Sequence, residues 1–560
     1  MELVTALIKY IRDSVIGDMQ PIATPFGQRP LVYADYTASG RSLSFIEDSI
    51  RQKVLPYYAN THSETSYTGA QTTGFREEAR KEIRRAVNGS EEHKIIFCGS
   101  GATAAINKLI DILKLRPPVD LNLQRRFSDS ISASQRPVVF IGPYEHHSNE
   151  LPWRESIAEL VSIPLNSTGT LDLDTLENQL RAYADRPLRI GSFSAASNVT
   201  GIVTEVEAVT RLLHQYGALS FWDYAAAAPY MAIDVRGEQD PRGDSSKDAV
   251  FISPHKFVGG PGTPGILVVK EQLLQNAVPA APGGGTVLYV TPEDHRYLED
   301  PERSEEGGTP AIVESIRAGM VFKLQQTVGI NEITQREKRL IGHALERWSK
   351  EENIEVLGSL DIPRLSIVSL RIKWRGKDLH YGFVVALLND LFGIQARGGC
   401  SCAGPYGHTL LDIDMAYSRA LEGQILKGQK LMRPGWVRLN FNYFISETVF
   451  EYLLEAVALV ARHGWRLLPY YYFDQDQGVW RYQGKKPESA ASLAQLNFSN
   501  CPSSKSEQEV SLLPLEEYLA IAERELCRKP RNAKFYDLPL PEDAEALRWF
   551  VSPRDAVLAL

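Results

Sequence analysis

The chain has 560 residues, 43% of them hydrophobic and 23% charged, values that fit a globular protein of more than one domain with large cores. Its formal net charge of −8 gives no electrostatic case for nucleic acid or an anionic membrane surface as a partner. Cys98, Cys400, Cys402, Cys501 and Cys527 are too few and too scattered for a disulfide framework and fit a reducing, cytoplasmic setting.

In chain order, MELVTALIKYIRDSVIG lacks a basic leader region and reads as an amphipathic helix rather than a signal peptide. No run of ~18 apolar residues follows anywhere, so no membrane span is expected. KIIFCGSG is a strand running into a glycine turn, and ATAAINKLIDILKL is a helix with Ile106, Leu109, Ile110 and Leu113 at helical spacing. Pro117–Arg136 is polar and aperiodic, a surface loop. RPVVFIGP and LRIGSFSAAS are strands, VEAVTRLLHQYGA is a helix ending at Gly217, and LSFWDY, DAVFISP and GILVVK are further strands. Such alternation predicts an α/β fold with a mostly parallel, doubly wound sheet. After about residue 310 long helices precede the strands RLSIVSLRIKW and WVRLNFNYF, the pattern of a smaller α+β domain. The expected division is an N-terminal helical segment (1–30) joining the smaller domain, a large domain (31–305), the smaller domain (306–470) and a C-terminal extension (471–560).

In doubly wound sheets the ligand crevice lies at the carboxyl ends of the strands. Four such ends carry chemistry here. DAVFISPHKFVGGPGTPG sets Lys256 behind a strand and before a glycine-rich turn, where desolvation lowers an amine's pKa and frees a nucleophile for a Schiff base. WDY ends another strand at Asp223, and a carboxylate buried there needs a cationic partner such as a pyridinium nitrogen. GPYEHHSNELPW supplies His146 and His147, an aromatic ring for a planar group. GSGATAAIN offers backbone N–H groups and Thr103 at a helix start, where a phosphate binds readily. RGGCSC (397–402) stands apart, and taken alone is half a metal site, a redox pair, a loop with incidental thiols, or a nucleophile on a mobile arm.

Taken in order, YADYTASG, GSGATAAIN, EHHSNELPW, SNVTG, WDYAAAA, SPHKFVGGPGTPG, GGGTV, EEGGTP and RGGCSCAGP resemble the class V aminotransferase family. These are fold-type I pyridoxal-phosphate enzymes, and the resemblance, from about Tyr33 to Glu455, is nearest the cysteine desulfurase and selenocysteine lyase branch. It implies that Lys256 holds pyridoxal 5'-phosphate as a Schiff base and moves protons, that Asp223 pairs with the pyridine nitrogen, and that His146 stacks on the ring. Ala102, Thr103, Ser253 and His255 would bind the phosphate, and Thr309 would reach the phosphate of a neighbouring subunit in a homodimer. Asn198 would sit by the ring oxygen or the substrate, and Arg438 would clamp the substrate carboxylate. Cys402 aligns with the family's nucleophile, with Arg397 beside it favouring the thiolate. A histidine near the site is also expected at His62.

The implied reaction takes sulfur from L-cysteine onto Cys402 as a persulfide, releases alanine, and passes the sulfur to a protein acceptor. Two departures stand out. Ala226 occupies the place of a family glutamine that contacts the cofactor's phenolic oxygen, and the stretch between Cys402 and Arg438 is long. They keep open another reaction on the same scaffold: transamination, selenocysteine lyase, epimerase or C–S lyase chemistry on a different amino acid. A non-catalytic sulfur-relay protein is a third reading. A CxC metal site would have at most two close ligands, so no metal is expected. Trp153 and Trp222 read as packing residues, and Cys400 as a resolving thiol or a passenger.

Overall fold

The computed structural model describes residues 2–61, 64–117, 131–486, 492–495, 511–528 and 534–560. Helix α1 (Glu2–Asp13) buries Ile8 and Ile11 in the core beneath the large sheet, whereas Met19 and Phe26 pack with the core of the smaller sheet. Residues 1–30 are thus divided between the two cores.

Seven short apolar runs form the large sheet: β1 (His93–Cys98), β2 (Val138–Ile141), β3 (Glu159–Ser162), β4 (Arg189–Ser194), β5 (Leu219–Asp223), β6 (Ala249–Ile252) and β7 (Gly265–Lys270). Their order is β1-β7-β6-β5-β4-β2-β3. Every neighbour pair from β6 to β3 is parallel, and β7 runs against both β6 and β1. Apolar residues point both ways, as a sheet covered on two faces requires. On β5, Phe221 joins the cluster built with Ile106 and Leu109 of helix α2 (Gly101–Ile112), and Trp222 joins the opposite cluster with Val209 and Leu213 of helix α3 (Val206–Gln215). Both Trp153 and Trp222 are buried packing residues.

Helices α4 (Ile312–Val328) and α5 (Ile330–Trp348) lead to a second, five-stranded sheet. Its main path is β8 (Ile354–Val356), β9 (Ile367–Trp374), β11 (Trp436–Asn440), then β10 (Arg397–Gly399), all antiparallel. Between β10 and β11 lie helices α6 (Gly404–Leu410) and α7 (Met415–Leu426). The polar, aromatic C-terminal stretch adds the hairpin β12 (Tyr471–Asp474) and β13 (Val479–Tyr482). Tyr471, Phe473, Trp480, Leu526 and Phe550 from this stretch are buried in the same core as the second sheet. Most of the Pro117–Arg136 loop, 118–130, lies outside the described residues, as does His62.

Candidate active site

A cavity of about 240 Å³ lies at the carboxyl ends of β1, β2, β4, β5 and β6, roofed by β10 and β11. Each strand hands it one polar group or more, because a parallel sheet brings all its C-terminal loops to one edge.

At the end of β1, Gly101 takes φ +56°, and a Cβ there would sit 2.8 Å from Ser253 Oγ. A Cβ on Gly265 would lie 2.0 Å from Gly101 O, so both glycines are needed for the chain to pass and open α2 against the cavity. Ala102 N donates to Ser253 Oγ at 2.8 Å. Thr103 Oγ1 meets Ser148 Oγ at 2.6 Å, and His255 Nδ1 lies 3.2 Å from Ser39 Oγ. Ala102, Thr103, Ser253 and His255 all line the cavity, into which α2 opens with its N-terminus.

At the end of β2, Ser148 N donates to His146 Nδ1 at 3.1 Å, which puts the ring proton on Nε2. Burial, with the nearby positive charge of Lys256 second, pushes the His146 pKa down to about 3, so the ring is neutral. Glu145 beside it is buried and accepts from Ser194 N, Ser194 Oγ and Asn149 Nδ2 at 2.9, 2.6 and 2.7 Å. Burial outweighs those bonds and raises its carboxyl to about 7.

Asp223 closes β5 as a buried carboxylate whose Oδ1 accepts Ala225 N at 2.7 Å. Burial raises its pKa, with Ala225 N–H and Lys256 pulling the other way. Lys256 follows β6 and is half-buried, because its side chain opens into the cavity while protein surrounds the rest. Burial lowers its ammonium to about 8, against the pull of Asp223, with Arg438 and Arg397 adding to the lowering. Its amine has no hydrogen bond or ion pair among the described residues. Ala226 lines the cavity where the resemblance led one to look for a glutamine.

The second sheet supplies the roof. Arg438 on β11 is 3% exposed, and it faces Arg397 of β10 across the ladder. Arg438 donates from Nη1 to Asn198 O at 3.0 Å and from Nη2 to Asp35 Oδ1 at 2.8 Å. Arg397 is exposed, lines the cavity, and has no side-chain partner among the described residues.

The cysteine segment differs from the expected mobile arm. Arg397–Gly399 are paired to β11, and the turn that follows is tied down three times. Asn198 Nδ2 donates to Ser401 O at 2.8 Å, His147 N to Cys402 O at 2.8 Å, and Gly404 N to His147 Nε2 at 3.0 Å. Ser401 and Cys402 both sit in the left-handed region, at φ +53° and +57°. Ser401, not Cys402, lines the cavity; Cys402 is half-buried. Thr309 is exposed, accepts from Asn60 Nδ2 at 3.2 Å, and lines two further grooves, one with Arg76 and Glu306 and one that shares Gly101 and His255 with the cavity.

The structure therefore gathers Lys256, Asp223, His146, Ala102, Thr103, Asn198, Ser253, His255, Arg397 and Arg438 around one cavity, without Cys402 or Thr309. Sequence reasoning passed over Glu145, Ser148, Ser401, Thr37 and Asp35. For all but Ser401, the one sequence-level signal is the density of polar residues in YADYTASG and EHHSN, just behind apolar runs.

Residues 32–420 match the family model described as aminotransferase class-V. A probable cysteine desulfurase of Halalkalibacterium halodurans is 30% identical over 380 residues, covering 67% of this chain and 85% of that protein. A cysteine desulfurase of Escherichia coli O8 is 30% identical over 398 residues, covering 70% and 89%. Among solved structures, the apo cysteine desulfurase of Thermococcus onnurineus NA1 superposes with a TM-score of 0.61 at 23% identity, covering 77% of this chain and 95% of that one.

Proposed function

This chain belongs to the class V aminotransferase family, and we propose that it works there as a pyridoxal-phosphate-dependent cysteine desulfurase. L-cysteine and the Cys402 thiol become L-alanine and a Cys402 persulfide; the thiol sulfur is oxidised, the substrate's Cβ is reduced, and its proton count is made up by the two thiols. A protein acceptor then takes the outer sulfur. Cys98, Cys400, Cys402 and Cys527 are all free, in keeping with the reducing cytoplasm proposed here.

One observation carries the proposal: Lys256 and Asp223 share one cavity with polar atoms that have nothing to bond. Thr37 Oγ1, Ser401 Oγ and Arg438 Nε are buried without a hydrogen-bond partner among the described residues, and all three residues line it. Buried polar groups left unpaired are costly, so such a set calls for a ligand. Pyridoxal phosphate would suit this cavity: Ala102, Thr103, Ser253 and His255 would hold its phosphate and Asp223 its ring nitrogen. Bound there, it supplies an electron sink for the substrate's Cα.

The chain's own groups do the rest. Asp223, acceptor-only when ionised, keeps a proton on the ring nitrogen. Lys256 Nζ, partly neutral near neutral pH, takes a proton from the substrate's Cα and returns one toward Cβ. His146, kept neutral by burial, offers a flat face without adding positive charge to the site. Arg438 orients the substrate through its carboxylate. Asn198 spends its Nδ2 on Ser401 O and acts through the cysteine turn. Thr309, outside its own chain's cavity, serves the site of the second subunit in a homodimer.

The test is Cys402→Ala in the cofactor-loaded protein. Persulfide and alanine formation from L-cysteine should vanish while the cofactor's visible absorbance stays; sulfide release at the wild-type rate would end the assignment. One observation favours a second reading. With Ser401 rather than Cys402 on the cavity and Ala226 against the ring site, the same groups suit transamination, epimerisation or C–S or C–Se cleavage of another amino acid. A spectral response to a sulfur-free amino acid, and none to L-cysteine, would select it.

A further inference from the structure

Arg438 is the cation assigned above to the substrate carboxylate, yet it is already engaged. A guanidinium offers a carboxylate two bidentate edges, Nε with Nη2 and Nη1 with Nη2, because Cδ blocks the third. Both edges include Nη2, and Nη2 is bonded to Asp35 Oδ1 at 2.8 Å. Nη1 is bonded to Asn198 O at 3.0 Å, while Nε is buried with no partner among the described residues. A second carboxylate gripping Arg438 on either edge would share Nη2 with Asp35, and two carboxylates on one nitrogen repel.

Asp35 is set for such an exchange. Its backbone cannot drift: Ala34 N donates to Gln395 O and Asn440 N to Ala34 O, each at 3.0 Å, and Ala38 N donates to Asp35 O at 2.9 Å. Its side chain is 16% exposed against 3% for Arg438, and its only hydrogen-bond partner among the described residues is that guanidinium. The carboxylate is thus free to swing on a fixed backbone. Without it, the empty site would hold a buried arginine with no counter-ion, which is strongly unfavourable.

We propose that Asp35 is a resident carboxylate that neutralises Arg438 in the empty site and is displaced by the carboxylate of the incoming substrate. It is a specificity-setting residue: it makes the site demand a ligand whose carboxylate outcompetes an internal one. The proposal rests on the reading that Arg438 binds the substrate carboxylate.

The test uses the full-length, cofactor-loaded protein with propionate as probe and propionamide as uncharged control. Asp35→Asn keeps the shape and removes the charge. Its thermal midpoint without ligand should fall below wild type, and propionate should restore it by more than it raises wild type, because ligand binding now supplies the missing counter-ion. The inhibition constant of propionate against L-cysteine should drop about tenfold, and KM for L-cysteine should fall further than kcat changes. Propionamide should do neither. A midpoint that falls without rescue by propionate, or a propionate constant unchanged or weaker, overturns the proposal; Asp35→Ser serves if the Asn variant does not fold. Arg438→Gln separates the two layers. If it abolishes propionate binding while Asp35→Asn changes nothing, only the role of Asp35 fails; if it leaves propionate binding intact, the assignment of Arg438 fails with it.

Discussion

The reactivity of Lys256 follows from its surroundings and can be measured before any turnover. Burial lowers its ammonium from 10.5 to about 8, the Asp223 carboxylate opposing the shift and the two arginines reinforcing it. At about pH 7.5, a pKa of about 8 leaves roughly a quarter of the amine neutral, against roughly a thousandth for an ordinary lysine. Lys256 should therefore condense with an aldehyde over a hundredfold faster than its neighbours near neutral pH. Borohydride trapping of a simple aldehyde on cofactor-free protein, resolved by peptide mass spectrometry, reads this residue alone. The labelling rate should rise with pH and level off above about 8. In Asp223→Asn the midpoint should move lower, because the removed carboxylate favours the charged ammonium. A midpoint at the ordinary lysine value, or an upward move in Asp223→Asn, would refute the electrostatic account of the site.

Glu145 gives a stability profile with a definite sign. Its folded-state pKa is raised from 4.5 to about 7, so its contribution is full below the lower value and is lost as pH climbs through the upper. The loss amounts to about 3 kcal/mol, and Glu145→Gln should flatten that part of a stability-against-pH curve; parallel curves would contradict it. His147→Ala removes the acceptor for Gly404 N but keeps the backbone bond to Cys402 O. One hydrogen bond is worth about 1 kcal/mol, so Cys402 should react about fivefold faster with a disulfide reagent, and His147→Gln should restore part of the protection. Equal rates in all three proteins would mean that His147 does not hold the turn.

The strands of the large sheet were legible because each apolar run ends in a glycine or polar turn, and Lys256 and Asp223 because such ends converge in a parallel sheet. His146 came with the same pattern, and Ser253 and His255 with the family resemblance. What stayed hidden depends on partners far away in sequence. The ties from Asn198 and His147 to residues 401–404, and from Asp35 to Arg438, leave no periodic trace, since each joins segments more than 200 residues apart. The C-terminal stretch looked merely appended because its polar residues outnumber its apolar ones; the few that matter, Tyr471, Phe473, Trp480 and Phe550, complete a core begun elsewhere. RGGCSC taken alone allowed a mobile arm, since glycines permit motion, but Gly398 sits in a paired strand against Tyr381, where a Cβ would lie 2.8 Å from the ring.

Those ties limit how the thiol can travel. Upstream, β10 is fixed to β11. Downstream, α6 starts at Gly404 on His147 and buries Tyr406 against Tyr144, with its hydroxyl 3.2 Å from that of Thr200. Beyond it the chain is strapped by the C-terminal segment: Tyr417 donates to Leu547 O, Gln424 and Lys427 to Asp543, and Trp549 to Met432 O. Only the few residues from Cys400 to Ala403 remain between two anchored ends, too short for a swinging arm. Within them, Ser401 and Cys402 hold left-handed backbone at a cost of order 1–3 kcal/mol each. On the proposed desulfurase reading, delivery of the thiol would be a local rearrangement of this turn, which Asn198 ties to Arg438 through the carbonyl that the guanidinium holds.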